Sequence, residues 1–167
     1  LATYVPPRSN ANHFQAVLNT IRAVQPKGDA GIAPALTELT RRIKRRGLIL
    51  LFSDVFEDLD PLKKSLHHLR SRGHELVLFH TLAPEELTFA FDGWSRFECL
   101  EAKHGRLDLE PALIRQEYLE RVRAFVTQRK RTCGETSCDY VALPTNKPIG
   151  EVLSHYLKRR EARLKAY

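Results

Sequence analysis

No apolar run in this chain of 167 residues approaches the roughly 20 that a helix needs to cross a bilayer. The opening Leu1-Ala2-Thr3-Tyr4-Val5-Pro6-Pro7 also lacks the basic start and long apolar stretch of a secretory signal. Cysteine is scarce, at three residues. Cys133 and Cys138 have four residues between them, with no His-x-His and no second cysteine pair, which excludes a zinc-ribbon or zinc-finger site. Without an export signal, reduced thiols and a cytoplasmic location are expected. No Gly-x-Ser-x-Gly elbow occurs, so an α/β-hydrolase nucleophile is missing. Internal repeats and low-complexity tracts are absent too. The hydrophobic fraction of 43% excludes wholesale disorder, and the length allows one ordinary domain core.

What is present is a set of short apolar runs separated by helical patterns. Arg45-Arg46-Gly47 feeds Leu48-Ile49-Leu50-Leu51-Phe52, which stops at Ser53-Asp54. A continuous apolar run without alternation predicts a strand buried on both faces, as in a parallel sheet. Open α/β sheets bind ligands outside the carboxyl ends of their strands, where Asp54 stands. The plainer reading is that Asp54 caps the next helix. Residues 60–70 follow with Leu62, Leu66 and Leu69 on one face, and Pro61 fits a first helical turn with Asp60 as its cap. Residues 73–80 form a second apolar strand and 139–143 a third. Between them residues 110–130 read as a long helix with Leu113, Tyr118, Leu119, Val122, Phe125 and Val126 on its apolar side. A hairpin is expected where Arg96-Phe97-Glu98-Cys99 alternates and pairs with residues 106–109. Alternating strands and helices at this spacing predict βαβ units and a parallel sheet.

Arg45-Arg46-Gly47 leading to Ser53-Asp54 resembles the domain-of-unknown-function 58 family. So does Arg70-Ser71-Arg72-Gly73-His74-Glu75 ahead of its strand. Phe97-Glu98, Tyr118-Leu119, Asp139-Tyr140 and Tyr156-Leu157 continue the resemblance, and Val5-Pro6-Pro7-Arg8-Ser9 with His13 begins it. The resemblance implies an α/β fold with a doubly wound, mostly parallel sheet and helices on both faces, similar to a von Willebrand factor A domain. Residues 1–167 would form the C-terminal portion of one such domain, with 1–5 as an edge strand and the central first strand missing. That fold often carries a metal at the strand ends, held by Asp-x-Ser-x-Ser, a Thr and an Asp. Asp54 matches the last position. Asp-x-Ser-x-Ser is absent, and Ala30 stands at the Thr position with Asp29 beside it. Magnesium takes about six oxygens, so Asp54 and Asp29 make an incomplete site unless an upstream segment supplies the rest. Members of the family are often associated with MoxR-type AAA+ ATPases, which implies a protein partner of that kind.

The remaining chemistry is thin. His80 ends its strand near Asp54, which makes the two the best His-carboxylate pair. His67 and His68 are adjacent and cannot clamp one ion. The acidic run at residues 54–60 lacks the glycine and glutamate of a calcium loop. Net charge is +7. Basic clusters at 41–46, 121–131 and 158–165 fall toward predicted helix ends, where they oppose the dipole. Interleaved aromatics for base stacking are missing, which weighs against nucleic acid. The reading that follows is a protein-interaction or adaptor module, not an enzyme. The alternatives are a metal-dependent hydrolase using Asp54, Asp29 and His80, and a basic nucleic-acid binder. An apolar strand at an open sheet edge would also favour a homo-oligomer.

Overall fold

The computed structural model describes residues 3–25, 31–98 and 105–165. Along them run α1 (Ala11–Ala23), α2 (Ile32–Arg42), β1 (Leu48–Ser53), α3 (Leu59–Ser71), β2 (Glu75–Leu82), α4 (Pro84–Thr88), β3 (Ser95–Glu98), β4 (Arg106–Leu109), α5 (Pro111–Glu135), β5 (Cys138–Pro144) and α6 (Ile149–Lys165). The apolar runs pair as a parallel three-stranded sheet in the order β1, β2, β5. The predicted hairpin forms between β3 and β4, with Phe97 opposite Leu107. Its Cys99 lies outside the described residues.

Helices cover both faces of the sheet. On one face Leu76, Leu78 and Cys138 pack with Leu36 of α2, Leu66 and Leu69 of α3 and Cys133 of α5. On the other, Val77, Phe79 and Leu143 pack under Tyr156, Val152 and Leu153 of α6. Each fully buried leucine or phenylalanine contributes about 1.5–3 kcal/mol, so the central β2, apolar on both sides, anchors the domain.

Four expectations need correction. β1 is not buried on both faces: Leu48, Leu50 and Phe52 are 44%, 43% and 48% exposed. β1 is an outer strand, and α6 packs over β2 and β5, so Ile49 and Leu51 face the core on one side while on the other Phe52 stacks on Phe79 but stays half exposed. The expected edge strand at 1–5 is not seen: residues 3–5 belong to no strand, and Leu1 and Ala2 lie outside the described residues. Helix α3 begins at Leu59 with Asp58 as its cap, the carboxylate accepting the Asp60 N–H at 3.3 Å. Neither Asp54 nor Asp60 caps it. Pro61 is tolerated inside the first turn because N–H groups there have no helical partner. Finally, α5 runs on to Glu135, so the basic stretch at 121–131 lies along its body and its last turn holds no cation. Leu113 falls off its apolar stripe and is 79% exposed.

Cys133 ends up inside α5 and Cys138 opens β5; both are buried and unbridged. Hydrogen bonding to Cys133 and burial push the Cys138 thiol up.

Candidate functional site

Parallel register sets Ser53 beside His80 where β1 and β2 end. The chain leaves the sheet at Asp54 and makes a turn that two buried side chains hold from behind. His80 is fully buried. Its Nε2 lies 2.9 Å from the backbone carbonyl of Asp54, and its Nδ1 lies 2.8 Å from the Tyr140 hydroxyl. A carbonyl only accepts, so Nε2 carries the proton and Nδ1 accepts from Tyr140. Burial holds the imidazole below its ordinary value of 6.5 and pushes Tyr140 up to about 12. Both groups are therefore neutral at neutral pH, as this bonding pattern needs.

Arg129 of α5 is the second support. Nε and Nη2 both donate to the Val55 carbonyl at 3.3 Å, and Nη2 also donates to the Glu57 carbonyl at 3.3 Å. The guanidinium lies 3.5 Å above the Phe125 ring. These bonds pin Val55 at φ 51°, a conformation that costs a β-branched residue on the order of 1–3 kcal/mol. The Val55 N–H donates to Ser53 Oγ at 2.9 Å. Glu57 then reaches across the turn: its carboxylate accepts the N–H groups of Ile32 and Ala33 at 3.0 and 3.2 Å. It caps α2, whose own N-cap is Gly31 with no side chain to offer. The turn is thus tied to β2, β5, α5 and α2.

The outer surface of the turn carries the exposed groups. Asp54 is exposed, and its carboxylate accepts only long bonds, from Ser53 Oγ at 3.3 Å and the Phe56 N–H at 3.4 Å. Phe56 is 77% exposed and leans on Phe125 with ring centroids 5.8 Å apart. Phe56, Leu82, Tyr118 and Phe125 wall a depression of about 250 Å³ that Asp54 and Glu86 border. Arg121 also borders it, but its guanidinium is paired with Glu117 at 2.6 Å.

The predicted His-carboxylate pair is not formed. His80 meets the backbone carbonyl of Asp54, while the carboxylate accepts instead from Ser53 Oγ and the Phe56 N–H. Asp29 and Ala30 lie outside the described residues. Among the described residues no three His, Cys, Asp or Glu side chains come together as a metal-holding group. His67, His68 and His155 are exposed and belong to no such group.

Sequence reasoning missed Arg129 and Tyr140. Arg129 was legible as an anomaly: it follows Phe125 by four positions and Val122 by seven, which puts a cation on the apolar stripe of α5. Tyr140 stood out only as part of the family resemblance and the third strand, because its bond to His80 depends on β5 lying beside β2.

The chain matches the family described as Protein of unknown function DUF58 over residues 1–129. It belongs to the DUF58 family. The DUF58 match includes Asp54, Phe56, His80 and Arg129 but stops within α5, ahead of Asp139-Tyr140 and Tyr156-Leu157. No curated protein and no solved structure matches the chain. Among the described residues, no helix of this DUF58 chain is long and apolar enough to cross a membrane.

Proposed function

We propose that this DUF58 chain is a von Willebrand factor A-like interaction module that grips a protein partner at the carboxyl end of its sheet. Phe56 carries the reading. This ring, 77% exposed, borders the apolar depression walled by Leu82, Tyr118 and Phe125. Here the turn is held rigid by His80 and Arg129, so little ordering entropy is lost on binding. A large aromatic beside a desolvated pocket is the usual anchor of an interface. Asp54 and Glu86 at the border favour a partner segment that presents an apolar side chain next to a lysine or arginine. A MoxR-type AAA+ ATPase is the partner that the family resemblance implies.

Calorimetric titration of a purified MoxR-type AAA+ ATPase with this chain tests the reading. Phe56→Ala should weaken binding by about tenfold or more. Asp54→Asn should weaken it less and flatten its salt dependence. Unchanged affinity in both variants would remove the site from the interface.

A further inference from the structure

A cluster of unmatched positive charge lies at the other end of the sheet, where β1 and β2 begin. Arg41 comes from the last turn of α2, Lys44 and Arg46 from the connection to β1, and Arg72 from just past α3. With His74 they line one depression of about 420 Å³, and no carboxylate lines it. Several basic side chains elsewhere are matched: Arg163 with Asp139, Arg160 with Glu75, Lys63 and Arg131 with Glu135, Arg96 with Asp108. Among the described residues Arg41, Lys44, Arg46 and Arg72 have no ion pair. Arg72 donates Nη1 to the Thr40 carbonyl at 2.8 Å, which fixes it at the end of α2 and leaves the rest of its fork open. The carboxyl end of α2 supplies only about half a negative charge against these four cations.

Two further features suit a ligand. Gly73 sits at φ 83°, and a Cβ there would come within 2.7 Å of Arg46 Nε, so the glycine makes room for that side chain. His74 is 3% exposed, and its Nδ1 is a buried polar atom without a hydrogen-bond partner. A neighbouring depression of about 650 Å³ shares Arg41 and Arg72 and adds Lys64 and His68.

We propose that this depression binds a compact phosphate-bearing ligand, a phosphate ester or diphosphate. Guanidinium forks match phosphate oxygens two at a time. The site is concave, no Phe, Tyr or Trp lines it, and its one ring, His74, is buried, so it offers no aromatic platform for nucleic-acid bases to stack on. The assignment is independent of the protein-binding turn at the opposite end of the sheet.

Calorimetric titration with inorganic pyrophosphate at low salt is the test, with phosphatidic acid vesicles as a second arm. One pyrophosphate should bind per chain, about tenfold more weakly in Arg46→Gln and in Arg41→Gln. Lys130→Gln, on the exposed side of α5, should match the parent. Vesicle binding that pyrophosphate displaces would support the site and assign its phosphate to a lipid headgroup; pyrophosphate binding without vesicle binding would support it and assign a soluble ester. The urea midpoints of Arg41→Gln and Arg46→Gln should hold or rise, since each removes one of several like charges. Undiminished pyrophosphate binding in both variants, no pyrophosphate binding to the parent, or tight duplex DNA binding that pyrophosphate does not displace would overturn the proposal. A loss of affinity matched by a fall in midpoint would overturn it too.

Discussion

His80 donates its Nε2 proton to the backbone carbonyl of Asp54, 2.9 Å away, and leaves the Asp54 carboxylate untouched. Two residues that read as an acid–base pair are thus a strut and the turn it supports. His80→Leu would orphan that carbonyl and the Tyr140 hydroxyl together. The expected cost is about 2–4 kcal/mol, read as a lowered urea midpoint with an unchanged slope. A loss under 0.5 kcal/mol, on the order of a neutral surface substitution, would show that the strut carries no weight.

The same burial predicts a pH dependence. His80 titrates lower in the folded protein than its ordinary value of 6.5, mainly because burial disfavours the imidazolium. The unfolded chain therefore binds the proton more readily. The contribution is intact above about pH 6.5 and is lost as pH falls from there toward the folded value. Urea titrations from pH 8 to 5 should show falling stability on the acid side, with a shallower fall in His80→Gln.

Arg129 should be hard to replace. Arg129→Met keeps the stem over Phe125 but removes the donors to the Val55 and Glu57 carbonyls. A loss of about 2–3 kcal/mol is expected, with faster amide exchange at Ile32 and Ala33, because Glu57 caps α2 from the same turn. Unchanged exchange there would mean that the turn and α2 are not coupled.

Magnesium and manganese should not bind tightly. Among the described residues Asp54 does not join two other His, Cys, Asp or Glu side chains in a metal-holding group. Calorimetry should give no stoichiometric heat in the micromolar range. Tight binding that Asp54→Ala abolishes would restore the metal-centre reading.

The exposed side of β1 should drive self-association. Leu48, Leu50 and Phe52 stand on an outer strand that pairs only with β2 among the described residues, and such edges recruit further strands. Light scattering on the 167-residue chain should report species above the monomer, and Leu50→Lys should shift them toward monomer. A parent chain that stays monomeric at high concentration would show the edge to be protected.

The sequence determined the elements. Apolar runs bounded by Gly47, Asp54 and Gly73 gave the strands of the parallel sheet. Leu62, Leu66 and Leu69 gave the buried face of α3, and alternation around Phe97 gave the hairpin, because local periodicity records which side chains must leave water. Family membership was legible as well, since it rests on residue order. Tertiary structure decided the rest. A five-residue apolar run such as Leu48 to Phe52 reads the same at a sheet centre as at its edge, so the exposed face of β1 could not be foreseen. His80 and Asp54 were adjacent by register, but whether an imidazole meets a carboxylate or a carbonyl depends on how the turn closes. That closure was set by Arg129, which lies 74 residues from Val55 along the chain. The basic depression was half visible in residues 41–46. Only the packing of α2 beside α3 brought Arg72 and His74 to the same place, since charge sums in space and sequence shows it only along the chain.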